Sequence, residues 1–174
     1  MKKYTILFMT LFLLTTCKNN DNPINDFEKN SSHDNELYVD SQTIMSGEII
    51  YVPIYSSIFS SDSKKTTELT ATMSIHNIDL QSPIKIKKVN YYNGKGILVK
   101  KYLDSVIELK PLETKQFIIE QKDKAGGTGA NFIVEWFSEH EVISPLVEAV
   151  MISTSSQLGI SFTTSGKVVK KTSP

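Results

Sequence analysis

Few residues in this chain could do chemistry, and their spacing narrows what that chemistry could be. Glu135 interrupts the apolar run "FIVEWF", and Glu148 interrupts "LVEAVM". An acid in the middle of an apolar strand is costly to bury without a partner. If the two segments form an antiparallel hairpin, one register sets Glu135 opposite Glu148, with Cβ atoms about 4.5–5.5 Å apart. Facing carboxylates repel unless they share a proton or a cation. Such a pair could hold calcium. It could also act on a sugar, since retaining glycosidases hold their two carboxyls about 5 Å apart. In another register each glutamate pairs with a strand lysine or faces water. Glu139-His140-Glu141, in the connecting segment, adds His140 as a weak metal-ligand candidate, because neighbouring residues point apart.

The stretch "DKAGGTGANFIVEW", residues 123–136, raises a second possibility. A glycine loop grips phosphate when it opens a helix, whose N-terminus offers free N–H groups and a favourable dipole. Here the glycines lead into aromatic and β-branched residues, and no lysine follows at P-loop spacing. "TTSGKVV" at 163–169 fails in the same way, with Val168 where Ser or Thr is needed. The glycines therefore read as suppliers of backbone angles, with an anion-binding nest as the alternative. No Gly-x-Ser-x-Gly elbow is present, and the 3 histidines are too scattered for a triad.

Composition excludes more. The 174 residues carry 19 lysines, no arginine and 19 acids. Bidentate arginine clamps on phosphate or carboxylate are absent, and zero net charge offers no polycation to nucleic acid. The single Cys17 rules out an internal disulfide and an all-cysteine metal site. No cofactor is expected.

The first segment reads as a delivery signal. Two lysines precede an apolar run from Ile6 to Leu14, followed by Thr15, Thr16 and Cys17. That run is too short to span a bilayer, which needs about 20 apolar residues. Leu14-Thr15-Thr16-Cys17 resembles the lipobox of bacterial lipoproteins, with Thr16 where Gly, Ala or Ser is usual. The resemblance implies cleavage before Cys17 and lipid attachment to it. The mature chain would hold 17 lysines against 19 acids, a net charge of −2. Lys18–Asn35 is polar and too poor in apolar residues to order itself, so residues 17–35 read as a tether.

From Glu36 short β-rich runs alternate with turn clusters, and no window keeps a helical period. Leu69, Ala71, Met73 and Ile75 alternate with Thr70, Thr72, Ser74 and His76, giving one dry and one wet face. "NYYNGKGILV" predicts a hairpin at Asn93-Gly94. A phase shift between Ile86 and Val89 predicts a bulge. Pro53 predicts an edge or a bulge. Of Tyr91 and Tyr92, one must face each side of the sheet, and Trp136 shares a face with Phe132 and Val134, as a core residue would. Without helices to cover a sheet, apolar faces must bury each other. The expectation is a single antiparallel, immunoglobulin-like β-sandwich of nine to ten strands over residues 36–170, behind a signal peptide at 1–16 and before a disordered tail at 171–174.

"YVPIYSSIF", "VNYYNGKGILVKKYL", "GGTGANFIVEW", "PLVEAVMIS" and "GISFTTSG" occur in an order that resembles the bacterial family known as domain of unknown function 3124. The resemblance covers about residues 36–166. It maps the family's motif residues onto Tyr51, Pro53, Tyr55, Tyr91, Tyr92, Gly126, Gly127, Gly129, Asn131, Glu135, Trp136, Glu148 and Gly159. It implies a secreted or lipid-anchored protein and brings no activity. Where relatives carry histidine this chain has Ser57, so a metal site built on that histidine would be lost here.

These readings together describe a lipid-anchored extracytoplasmic binding module in the cell envelope, periplasmic or at the surface, more binder than enzyme. Its partner would be an envelope protein or a glycan and not nucleic acid. Candidate contacts are Gly126, Gly127, Thr128, Gly129, Asn131, Tyr91 and Tyr92. A hydrolase or cation site at Glu135 and Glu148 is the alternative, and a purely structural envelope protein is the third. Cys17→Ser should move the protein from the membrane to the soluble fraction on cell fractionation; retention on membranes would rule out the lipid anchor.

Overall fold

A computed structural model describes residues 44–154 and 159–172. The leader, Cys17, the tether and the run "ELYV" lie outside the described residues. Within them the chain forms twelve strands and one 3₁₀ turn, and no α-helix. This exceeds the expected nine to ten strands because "SIF", "TTE" and "KVVKK" also pair.

Two antiparallel sheets make the body. The first runs in the order β12 (Lys167–Lys171), β1 (Ser46–Ile54), β9 (Ala130–Ser138), β5 (Ile84–Tyr92) and β6 (Leu98–Lys101), with β7 (Ile107–Leu109) also on β5. The second runs β11 (Ile160–Ser165), β10 (Leu146–Ser153), β4 (Thr70–His76) and β8 (Thr114–Ile119). A separate ribbon pairs β2 (Ser57–Phe59) with β3 (Thr66–Glu68), so the end of the polar stretch "SSDSKKTTE" is strand. The expected boundary at residue 170 falls inside β12, and Thr172 N still donates to Gly47 O at 2.8 Å.

Alternation along each strand builds the core. Ile50, Val52 and Ile54 of β1, Ile84, Ile86, Val89 and Tyr91 of β5, and Phe132, Val134 and Trp136 of β9 face inward from the first sheet. Ala71, Met73 and Ile75 of β4, Phe117 and Ile119 of β8, and Val147, Ala149 and Met151 of β10 meet them from the second. The sandwich is therefore one core between two sheets, as burial without helices requires. Tyr102, just past β6, ties the layers: its N donates to Val89 O at 2.9 Å, and its hydroxyl to Ile118 O at 3.0 Å. Its ring packs on Phe117 and Phe132.

Local expectations hold where backbone chemistry decides them. The β5–β6 hairpin turns at Asn93–Gly96, with Asn93 Oδ1 accepting from Lys95 N and Ile97 N and Gly96 at φ 74°. The β5–β9 register shifts between Ile86 and Lys88, the predicted bulge. Pro53 sits beyond Tyr51, the last β1 residue paired with β12, so its missing N–H interrupts no ladder on that flank.

One fastener escaped the pattern. Asn77 is 1% exposed, and its amide nitrogen lies 3.0–3.1 Å from the carbonyls of Ser82, Leu109 and Lys110. Its Oδ1 accepts from Asp79 N, and Asp79 Oδ1 accepts from Gln81 N and Ser82 N. The backbone donors from Gln81, Ser82 and Ile143 hold the Asp79 carboxyl below its ordinary pKa. Asn77→Ala would leave buried carbonyls unpaired and should lower stability by about 2 kcal/mol, read as a shifted urea midpoint; an unchanged midpoint would mean the loop is held by other contacts.

Candidate functional site

The two glutamates do not meet. β9 and β10 are consecutive but lie in different sheets, so the hairpin that would set Glu135 against Glu148 does not form. β9 pairs with β1 and β5, and β10 with β4 and β11. Glu135 alternates with buried Val134 and Trp136, and Glu148 with buried Val147 and Ala149. They therefore project from opposite outer faces of the sandwich, with the core between them. Lys87 Nζ lies 3.1 Å and Lys88 Nζ 3.4 Å from the Glu135 carboxylate. Glu148 has His76 Nε2 at 3.7 Å, while His76 Nδ1 shares a 2.9 Å hydrogen bond with the Thr114 hydroxyl. His140 is exposed in the β9–β10 connection, and Glu139 beside it bonds Lys85 at 2.6 Å. That lysine keeps the Glu139 carboxyl below its ordinary pKa. Among the described residues no group of three metal-ligating side chains is assembled.

The glycine loop has a structural explanation. Gly127–Gly129 makes one 3₁₀ turn that leads straight into β9, and Gly127 has φ 71°. Gly126 presses on Tyr91: a Cβ there would overlap the phenol oxygen and sit 2.7 Å from Cζ. The loop also leans on the β5–β6 hairpin, where Gly94 N donates to Gly126 O at 3.2 Å, and on Ser56, whose hydroxyl donates to Gly127 O at 3.2 Å. Tyr91 is fully buried. Ser56 and Gly126 sit beside its hydroxyl, but neither is aligned for a good hydrogen bond. Burial pushes the Tyr91 phenol above its ordinary pKa and that of Tyr102 up to about 12. Both are neutral at physiological pH. Their raised values stabilise the fold below pH 10, and that contribution is lost as pH climbs from 10 toward 12.

Tyr92, Asn131 and Thr128 remain available at the same end. Tyr92 points outward opposite Asn131, and Thr128 is part-exposed in the turn before it. Asn90 Nδ2 lies 3.5 Å from the Tyr92 hydroxyl. The register extends this pair into an ordered surface. Lys167 opposes Tyr51, Tyr51 opposes Ile133, Ile133 opposes Asn90, and Asn90 opposes Lys101. All five sit at outward positions of the first sheet, forming one cross-strand row Lys–Tyr–Ile–Asn–Lys. With strands about 4.8 Å apart, its two lysines stand about 19 Å from each other. The parallel row on one side is Lys170–Ile49–Glu135–Lys88, and on the other Pro53–Asn131–Tyr92–Leu98.

This face is basic although the chain is neutral. Lys101, Lys167 and Lys170 make no ion pair among the described residues. The outward positions of the second sheet carry no lysine: they are Thr70, Thr72, Ser74 and His76 on β4, Thr114, Gln116 and Ile118 on β8, Leu146, Glu148, Val150 and Ile152 on β10, and Ser161, Thr163 and Ser165 on β11. The sequence marks Tyr92 and Asn131 as candidate contacts, and Tyr51 through the family resemblance, but it does not mark Asn90, Lys101 and Lys167 as their neighbours. Outward alternation marks each one; only strand order puts them side by side.

Residues 47–169 match the model of a family described as a protein of unknown function, DUF3124. No curated protein matches the chain at a significant level. Among solved structures, Thermotoga maritima 1070 resembles it with a TM-score of 0.45 and 10% identity, over 69% of this chain and 92% of that one.

Because Gly126 admits no side chain while Gly129 has 3.7 Å of clearance, the loop makes an asymmetric prediction. Gly126→Ala should destabilise by about 1–3 kcal/mol through overpacking on Tyr91, and Gly129→Ala by much less. Equal urea midpoints for the two variants would refute the close approach.

Proposed function

This chain belongs to that family, and from that premise we propose that it is a lipid-anchored, extracytoplasmic, non-catalytic binding module that takes an anionic glycan of the cell envelope on the outer face of its first sheet. The observation that carries the reading is the Lys167–Tyr51–Ile133–Asn90–Lys101 row. Tyrosine offers a flat apolar ring with a polar tip, which suits the alternating apolar and hydroxylated faces of a sugar. Asn90 and Asn131 offer both donors and acceptors to hydroxyls. Lysines at the two flanks suit phosphate or carboxylate groups spaced along a polymer, as point charges and not as bidentate clamps. A rigid sheet needs no ordering on binding, which favours a shallow, repeated contact over a deep pocket.

The leader supports the location. A lipobox-like Cys17 behind a short apolar run, and a polar tether of residues 17–35, would hold the domain in reach of envelope polymers. A second reading takes the opposite face, where Ile118, Leu146, Val150 and Ile152 are exposed among serines and threonines. That face suits an envelope protein more than a polyanion.

The test is titration of the soluble domain with a polyuronate or a phosphodiester-linked polyol, against a neutral glucan of equal length. The anionic polymers should bind and weaken with salt, because exposed charges are screened over about 8 Å at physiological ionic strength. Replacing Lys101, Lys167 and Lys170 together by glutamine should remove most of that affinity, and Tyr92→Ala part of it. Equal binding to the neutral glucan, or equal binding to single-stranded DNA, would overturn the glycan reading.

A further inference from the structure

A buried carboxylate lies at the opposite end of β1 from the Tyr92 cluster. Glu48 falls at an inward position and is 7% exposed. Its Oε2 accepts from Trp136 Nε1 at 3.3 Å, and its Oε1 from the Ser144 hydroxyl at 3.1 Å. Both donors are neutral. No lysine or histidine nitrogen comes within 4.0 Å of Glu48 among the described residues, although Lys171 is its cross-strand partner. A buried carboxylate with hydrogen bonds but no countercharge is an expensive arrangement. The cost falls where a cation reaches the carboxylate, and Lys171 does not come close enough to be that cation.

The place for one is present. Glu48 lines a cavity of about 300 Å³ together with Trp136, Ser144, Glu141, Met45, Val142 and Lys171, whose ammonium stands more than 4.0 Å from the Glu48 carboxylate. Glu141 is exposed at its side, adding a second negative group, while Met45 and Val142 supply apolar wall. The two carboxylates are too few for a metal cage, which takes six or more oxygens for calcium. Two acids against the one lysine leave the cavity net negative, and with the indole beside them they suit a further ammonium head on a short stem, at the place beside Glu48 that Lys171 leaves open.

We propose that this cavity binds a primary alkylammonium group, with the Glu48 carboxylate as its counter-ion. The chemistry is shared by the side chain of a diamino acid in a peptide, an amino sugar and a free polyamine. The site is separate from the lysine-flanked row and does not depend on the glycan reading.

Trp136 is the chain's only tryptophan, so its indole N–H gives a single resonance and its fluorescence a single emitter. The full-length domain is titrated with N-acetyl-lysine methylamide, glucosamine and cadaverine, each matched by a neutral counterpart: the norleucine analogue, N-acetylglucosamine and pentanol. At least one amine should shift the indole resonance to saturation while its counterpart does not, and the amine that binds tightest identifies the source. Glu48→Gln keeps one acceptor oxygen for Trp136 Nε1 and offers an amide N–H that the Ser144 hydroxyl can accept, but removes the charge, and should weaken binding at least tenfold. Because that variant could also loosen the core, Glu141→Gln at the exposed side is measured too and should weaken binding a few-fold. The Lys101, Lys167 and Lys170 variant should respond to amines like wild type. An indole signal unmoved by every amine, an equal response to the neutral partners, or unchanged affinity in both glutamate variants would overturn the proposal.

Discussion

Register on β9 is the constraint from which the rest of the structure follows. This strand lies between β1 and β5 and pairs with both along most of its length. Phe132, Val134 and Trp136 are buried to 1% or less on one side, while Asn131, Ile133 and Glu135 face the other. A slip of one residue against either neighbour would turn the aromatic set into water and the glutamate into the core. Burial therefore fixes the register of β9 against both neighbours, and that register fixes which outward residues of the three strands stand side by side.

The two outer faces then diverge in character. Lysines collect on the first sheet because β5, β6 and β12 each place them at outward positions; Glu135 is held there by Lys87 and Lys88. Serine, threonine and aliphatic residues collect on the second. A formal net charge of zero conceals this separation, since it sums over faces that never see the same partner. Charge distribution, and not total charge, is what a surface ligand would meet.

Much of the fold was legible in the sequence. Alternation in "TATMSIH" and "NFIVEWFS", the Asn-Gly turn and the phase shift at Lys87 are local signals, and local backbone chemistry sets their outcome. The burial of Trp136 followed from the same alternation, which also put one of Tyr91 and Tyr92 inside without saying which. The glycine loop was half legible: its unsuitability for phosphate came from what surrounds it, but its cause, the Tyr91 phenol under Gly126, is a contact across 35 residues. The Glu135–Glu148 pairing failed for a related reason. Nearness in sequence suggested a hairpin, whereas the segment between β9 and β10 crosses from one sheet to the other.

Glu48 shows the limit most plainly. In "SGEIIYV" it reads as an ordinary polar residue at the start of a strand; nothing nearby announces that Trp136, 88 positions away, donates to it. The sequence alone determined an all-β body, the turns, the bulge and the wet or dry side of most strand residues, because those depend on neighbours along the chain. Tertiary structure alone decided which strands lie side by side, which carboxylates stay apart, and which one is buried beside a cavity. Strand order is selected by burying the whole apolar surface at once, a property no single segment contains.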